Sequence, residues 1–121
     1  MTAFAKLSEL GPLPIWNGVS CRAVEGANVT MAVVELEPKA VVPEHQHPNE
    51  QLGVVLQGSV TFTIGGERRD LVAGDTYVIP GNVPHDVVTG PSGAVVVDVF
   101  SPVRADWSRF EPGEPCLPQW P

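Results

Sequence analysis

The sequence is poor in basic residues and cysteines, and it has no long apolar segment. It has 7 Lys and Arg against 14 Asp and Glu, a net charge of −7. Nucleic acids and anionic membranes attract basic surfaces, so we expect neither as a partner. Cys21 and Cys116 form no CxxC pair, and no apolar run reaches the about 20 residues that span a bilayer. Met1–Leu10 contains Lys6 and Glu9 and does not resemble an export signal, so we expect a soluble, cytoplasmic protein.

The balance of aliphatic residues predicts an all-β domain. Valine occurs 20 times and leucine 8 times, and β-branched residues pack well in sheets. The 12 Gly and 13 Pro fall at intervals, as turns between short strands do. We therefore expect one domain over 1–121 with its core at about 29–100. Pro12 and Pro14 predict an irregular N-terminal arm, and the proline-rich segment Glu111–Pro121 predicts an extended C-terminal strap.

Apolar and polar residues alternate along several short segments, which locates the strands. Val60, Phe62 and Ile64 alternate with Ser and Thr, and Gly65-Gly66 then predicts a two-residue hairpin turn. About nine strands are expected, the number and spacing of a small barrel. A short helix is predicted only around Ala105–Phe110. The other predicted strands are Val29–Leu36, Leu52–Gln57, Arg68–Val72, Thr76–Ile79, His85–Thr89 and Ala94–Phe100.

The three histidines form the strongest candidate site. His45 and His47 are two residues apart, a spacing that puts both imidazoles on one face of a strand. His85 begins a later strand that a barrel can bring close to them. Three imidazoles and one oxygen donor are a usual ligand set for Zn, Fe, Ni or Mn. Taken alone, the His-x-His pair is also typical of a solvated edge strand.

Two neighbouring residues can supply the oxygen ligand. Glu50 and Gln51 are adjacent, so on a strand their side chains point to opposite faces. We favour Gln51. With three histidines it predicts a metal site of His45, His47, Gln51 and His85. These neutral ligands leave the charge of a divalent ion uncompensated, which favours Lewis-acid chemistry over oxygen activation.

The spacing of these residues resembles the two motifs of the cupin superfamily. His45-Gln46-His47 is followed by three residues, Gln51, six residues and Gly58, as in the first motif. Gly74 is followed by five residues and Pro80, and His85 falls where the second motif has its histidine. The resemblance covers roughly residues 36–100. It implies a cupin-type double-stranded β-helix, a jelly-roll barrel, that binds one divalent transition metal.

The chain departs from the cupin motifs at four positions. Lys39 and Asn82 stand where the motifs have glycine, and Thr89 replaces the closing asparagine. Asn82 tolerates a left-handed backbone better than most residues. Gln51 replaces the usual glutamate.

Within the superfamily, the sequence resembles small single-domain cupins of the pectin-degradation KdgF type. The segments that carry this are His47-Pro-Asn-Glu-Gln51, Ile64-Gly-Gly-Glu67, Val83-Pro-His85 and Asp98-Val-Phe-Ser-Pro102. The resemblance implies a reaction that opens 4,5-unsaturated uronates to linear 5-keto sugars, with Asp98 and Arg104 as catalytic residues and Phe100 and Arg104 binding the substrate. Asp98 interrupts a run of valines, which independently favours a buried carboxyl. For Arg104, a surface arginine is the competing interpretation.

Two other functions remain open from the sequence. A cupin with this ligand set can be a cyclase or isomerase of aromatic or polyketide-like substrates, or a non-catalytic module that binds metal or a small ligand. An aromatic cavity without a basic group would favour the cyclase, and a collapsed site would favour the module. We also expect a homodimer, because Val-rich outer strands need cover.

Overall fold

The computed structural model describes residues 2–121 and is built almost entirely from antiparallel strands. Its two helical turns are 3-10 helices, η1 (Leu7–Glu9) and η2 (Ala105–Arg109). No helix among the described residues is long and apolar enough to cross a membrane. The eight strands of this part of the chain are β1 (Leu13–Trp16), β2 (Val19–Glu25), β3 (Thr30–Leu36), β4 (Val41–His45), β5 (Glu50–Ile64), β6 (Glu67–Val72), β7 (Thr76–Ile79) and β8 (His85–Ser101).

Two long strands, β5 and β8, organise the sheet. The strand order is β1-β2-β3-β8-β5-β6, with β4 paired to β8 and β7 paired to β5. The first half of β8 pairs with β4 and its second half with β3, and β5 pairs along both halves. The register shifts near Gly58, which has a φ of 76° and leaves no room for a Cβ against the Gly93 backbone. This bend lets each long strand serve two parts of the sheet, as strands at the corners of sandwiches do.

The sheet folds around an apolar core that ends in a polar cavity. Fully buried side chains include Val55, Val60, Ile79 and Val95. Toward one side, buried polar residues replace the aliphatic ones, among them His47, Gln51, His85 and Asp98. Burying polar groups is unfavourable unless they have partners, so this concentration marks the functional part of the fold.

The prediction of a nearly all-β chain is confirmed, and several details differ. The strand Thr76–Ile79 and the Gly65-Gly66 hairpin occur as predicted, and both glycines have positive φ. Segments 52–57 and 60–64 were predicted as two strands but form the single strand β5. Segments 85–89 and 94–100 were likewise predicted as two strands but form the single strand β8. Each long strand continues through its bend, because a bulge shifts the register without ending the strand.

The N-terminal segment is the clearest error of the sequence analysis. An irregular arm was expected there, but β1 and β2 form a hairpin on the edge of the sheet. Pro14 lies within β1, which is an edge strand, where a residue without an N–H is tolerated. Lys39 and Asn82, the two non-glycine residues with positive φ among residues 2–121, occupy the motif positions that usually hold glycine.

The C-terminal segment after Arg109 contains no helix or strand and is attached to β2 and β3 by polar contacts. The buried guanidinium of Arg22 forms an ion pair with Glu35 at 2.9 Å and donates to the carbonyl oxygen of Cys116 at 2.9 Å. Glu35 also accepts a hydrogen bond from the backbone N–H of Gln119. The chain end is thus fixed on the face of β2 and β3.

Candidate functional site

Three elements bring the histidines together. His45 ends β4 and pairs in register with His85, the first residue of β8. The ligand atoms of His45, His47 and His85 all lie within 4.8 Å of one another. The predicted strand geometry is wrong for His47, because β4 ends at His45 and His47 lies two residues beyond it. The three side chains nevertheless form a group that can hold a metal ion.

Backbone carbonyls fix the tautomer of each histidine. The Nδ1 atoms of His45, His47 and His85 lie 2.8, 3.0 and 2.8 Å from the carbonyl oxygens of Pro43, Asn49 and Val83. A carbonyl oxygen only accepts, so each Nδ1 must carry the proton and donate. Each Nε2 then presents its lone pair, which is the form that binds a metal.

Gln51 adds an oxygen to the three ring nitrogens. Its Oε1 atom lies 3.1 Å from Nε2 of His47. Both atoms are acceptors in this tautomer, so their approach has no hydrogen to stabilise it. Nε2 of His85 is likewise buried, and it has no hydrogen-bond partner in the described part of the chain. A cation at the common centre would satisfy these atoms, so the residues fit a divalent metal. Glu50 is exposed and Gln51 is buried, so it is Gln51 whose side-chain oxygen lies beside the histidines.

Burial keeps two of these histidines neutral. It lowers the pKa of His85 to about 4, with smaller lowering effects from His45, His47 and the positive charge of Arg104. Burial and Arg104 also lower the pKa of His47. Neutral imidazoles at pH 7 are ready to bind a metal without first releasing a proton.

A buried carboxyl lies next to the histidine group. Asp98 is 7% exposed, and its Oδ1 accepts a hydrogen bond from the Tyr77 hydroxyl at 2.5 Å. Burial raises the pKa of Asp98 to about 6, and hydrogen bonds from Tyr77 and Gln51 oppose this shift. The carboxyl of Asp98 therefore lies in the same polar cluster as Gln51 and the histidines.

Gly53 makes the contact between Tyr77 and Asp98 possible. On β5 it is the register partner of Tyr77 on β7 and of Asp98 on β8. A Cβ at Gly53 would collide with the ring and the hydroxyl of Tyr77. The missing side chain is the space through which the tyrosine crosses β5 to reach the carboxyl.

Arg104 and Phe100 also border the site. Phe100 is buried and its ring edge contacts His47, with 5.8 Å between the ring centroids. The guanidinium carbon of Arg104 lies 4.7 Å from the centre of the Phe100 ring and 4.4 Å from that of Trp107. Its Nε and Nη2 donate to the Asp106 carboxylate at 3.0 and 2.9 Å. Arg104 is only 12% exposed, so the surface arginine considered above is not what the structure shows.

One cavity of about 70 Å³ lies beside the histidine group and opens to solvent. Every residue predicted for the site lies on its wall: His45, His47, Gln51, His85, Asp98, Phe100 and Arg104.

Sequence reasoning missed four residues of this site. Trp16 lines the cavity, and its ring centroid lies 5.0 Å from that of His45. Tyr77, Gly53 and Asp106 were not singled out. The roles of Tyr77 and Gly53 depend on cross-strand register, and that of Asp106 depends on its contact with Arg104. Neither feature has a local sequence signal.

Comparisons with known proteins agree with this architecture. The model of the cupin domain family matches residues 32–100. The pectin degradation protein KdgF of Dickeya dadantii is 37% identical over 81 residues, which cover 66% of this chain and 74% of that protein. The structure of KdgF from a Halomonas species superposes with a TM-score of 0.80 at 29% identity, covering 88% and 98% of the two chains.

A second solved structure supports the fold alone. An RmlC-like cupin from Shewanella frigidimarina superposes with a TM-score of 0.81 at 24% identity, covering 88% of this chain and 96% of that one. The expected jelly-roll fold is therefore confirmed, although the sheet remains open along the β1 and β6 edges. The chain belongs to the cupin domain family and is similar to KdgF.

Proposed function

We propose that this protein is a metal-dependent isomerase that opens 4,5-unsaturated uronate monomers to linear 5-keto sugars. The supporting observation is that a histidine group, a buried carboxyl and a guanidinium line one open cavity. Those groups suit the parts of such a substrate: its hydroxyls, its C=C bond and its carboxylate. Two relatives named KdgF, one of them a pectin degradation protein, are consistent with a uronate substrate.

His45, His47, His85 and Gln51 would hold one divalent transition metal, with Zn, Ni, Fe and Mn as candidates. When bound, such an ion supplies a Lewis acid that polarises substrate oxygens. All four ligands are neutral, so the chain leaves the charge of the ion available for substrate. The backbone carbonyls that accept from each Nδ1 keep the imidazoles oriented while substrate exchanges.

Asp98 is the proposed proton-transfer residue. Ring opening begins when the anomeric hydroxyl loses its proton and becomes a carbonyl while the bond from C1 to the ring oxygen breaks. The ring oxygen leaves as the enol oxygen on C5. A proton added to C4 then converts the enol to the 5-ketone. One proton leaves an oxygen and one arrives at carbon, so the reaction is an isomerisation and one carboxyl can do both. The Tyr77 hydroxyl holds Oδ1 of Asp98 in place.

Arg104 is the proposed contact for the uronate carboxylate. A guanidinium pairs with a carboxylate through two parallel hydrogen bonds, which fixes the orientation of the sugar as well as its charge. Phe100 lies under the guanidinium and against His47, so it forms the wall between the carboxylate end and the metal end of the cavity.

The proposed reaction is tested by NMR in D₂O with metal-loaded protein and a 4,5-unsaturated galacturonate monomer. The vinyl proton signal at C4 should disappear faster than it does spontaneously, with one deuterium entering at C4. Asp98→Asn should keep its metal and lose about 10²–10⁴ in rate. Asp70→Asn, an exposed carboxylate on β6, is the matched control and should match the wild type. A wild-type rate equal to the spontaneous rate would refute the assignment.

The same cavity distinguishes the two alternatives. A cyclase of aromatic or polyketide-like substrates is favoured by aromatic walls, and Trp16, Phe100 and Trp107 are such walls. The buried charges of Arg104 and Asp98 favour an anionic, polar substrate instead. A non-catalytic binding module is less favoured, because Asp98 and Arg104 line the same cavity as the histidines. Metal-loaded protein that binds uronate without opening it would support the module.

We further propose a cytoplasmic homodimer of single-domain chains. The outer face of the sheet carries an apolar row of five side chains that are register partners across β2, β3, β8, β5 and β7: Val24, Met31, Val99, Leu52 and Val78. Four of the five are more than 40% exposed. An uncharged row across a whole sheet is suited to an isologous contact with a second copy, in which each row covers the other.

A further inference from the structure

We propose that Asp106 is a positioning residue that fixes the Arg104 guanidinium, so that only its terminal Nη1–Nη2 edge can receive a carboxylate from the cavity. This inference rests on the proposed binding of a uronate by Arg104. It adds a residue that neither the sequence motifs nor the metal site includes.

Two aromatic rings and one carboxylate already contact the guanidinium. Phe100 and Trp107 cover it with their rings at 4.7 and 4.4 Å from the guanidinium carbon. Asp106 accepts from Nε and Nη2 and so occupies the side edge completely. The backbone is fixed as well, because the N–H of Arg104 donates to Oγ1 of Thr30 at 2.9 Å.

The hydrogen count then identifies the edge that remains. A guanidinium has five N–H donors, one on Nε and two on each terminal nitrogen. Asp106 uses one on Nε and one on Nη2, and no acceptor among residues 2–121 contacts Nη1. One hydrogen on Nη2 and one on Nη1 therefore point along the terminal edge. Two parallel donors on one edge match the two oxygens of a carboxylate.

The position of Asp106 argues for a role in binding and against a role in stability. It is about half exposed in the first turn of η2, and exposed ion pairs contribute little to folding. Arg104 keeps the pKa of Asp106 below its usual range, so the carboxylate is ionised at neutral pH. Without the Asp106 carboxylate, the guanidinium would rotate about the last bonds of the Arg104 side chain. Each substrate would then have to order the guanidinium as it binds.

The test compares zinc-loaded wild type, Asp106→Asn, Arg104→Lys and the double variant by calorimetric titration with D-galacturonate. Asp106→Asn should keep full zinc content and bind about tenfold more weakly, because the ordering of Arg104 is no longer provided in advance. Adding Asp106→Asn to Arg104→Lys should cause no further loss. Glu111→Gln, an exposed acid in the adjacent segment, should bind as the wild type does.

Turnover of the unsaturated uronate gives a second readout. Asp106→Asn should raise KM about tenfold and change kcat by less than twofold, because Arg104 is proposed to hold the carboxylate equally in the bound substrate and in the transition state. Equal loss of binding to the neutral sugar D-galactose, or galacturonate binding equal to that of the wild type, would overturn the inference.

An NMR measurement separates this inference from the proposed function. The ¹⁵N-labelled, zinc-loaded protein should show an Arg104 Nε–H signal, assigned by its absence in Arg104→Lys. Hydrogen exchange at that site should be at least about tenfold faster in Asp106→Asn, since the acceptor is weakened. If the wild type neither binds galacturonate nor opens the ring, the proposed function fails. The positioning role is then supported by faster exchange and overturned by unchanged exchange.

Discussion

Substitution of Gly53 by alanine is the sharpest test of how the site is built. Gly53 lies in β5 with no positive φ, so alanine carries no backbone penalty there. The added Cβ would instead occupy the space that the Tyr77 ring and hydroxyl fill. Tyr77 is almost completely buried and packs against Phe62, so it cannot give way without disturbing the core.

Two costs set the size of the effect. Forcing one extra carbon into a packed core costs about 1–3 kcal/mol. Displacing the Tyr77 hydroxyl leaves Oδ1 of Asp98 buried without its donor, which costs another ~1–3 kcal/mol. The two costs are not additive, because a movement of the Tyr77 ring that relieves the overpacking also breaks the hydrogen bond to Asp98. We expect a loss of ~2–4 kcal/mol in the free energy of unfolding, or roughly 10 °C in Tm.

Urea unfolding of metal-free protein measures this loss without a contribution from metal binding. Gly26→Ala is the matched control, because a Cβ there meets its nearest neighbour at 3.5 Å, an ordinary contact. It should change stability by less than ~0.5 kcal/mol. Gly53→Ala should also cost less in a Tyr77→Phe background, where the hydroxyl contact is already gone. A Gly53→Ala protein as stable as the Gly26→Ala protein would refute the account of the Tyr77 contact.

Three further outcomes are expected. His47→Ala should lose most of the bound divalent metal by elemental analysis, and unchanged metal content would refute the ligand set. Burial raises the pKa of the Cys21 thiol to about 12, so at pH 8 a thiol reagent should label Cys116 alone until the protein is unfolded; two fast-reacting thiols would contradict this. Leu52→Glu, in the centre of the outer apolar row, should give monomers by light scattering, whereas the exposed Val41→Glu on β4 should not; monomeric wild type would refute the dimer.

Much of the fold was predictable because strand periodicity and turn chemistry are local. Gly65-Gly66 specifies its hairpin through two positive φ values, and the alternation at 60–64 gives the buried face. The hairpin of β1 and β2 was not predictable in this way. Pro14 argues against a strand unless the strand is known to be an edge, and edge position is a property of the whole sheet.

The residues of the candidate site likewise differ in whether a local sequence signal marks them. The three histidines, Gln51 and Asp98 were found because motif spacing, or a charge in an apolar run, is visible in the chain. Tyr77 carries no such signal, since it looks like an ordinary buried aromatic of a short strand. Its contact with Asp98 exists only after β5 lies between β7 and β8 in the observed register.

That register links the metal site to the proton-transfer site. On β5, Gln51 faces Phe100 and Gly53 faces Asp98, two residues apart and on the same side of the strand. A slip of one residue would turn Gln51 away from the histidines and remove the gap that Tyr77 crosses. The bend near Gly58 allows the same strand to pair with His85 at its other end, through Ile64. The ligand oxygen and the position of the acid are therefore set by one strand alignment. Substitutions that shift β5 should impair metal binding and turnover together.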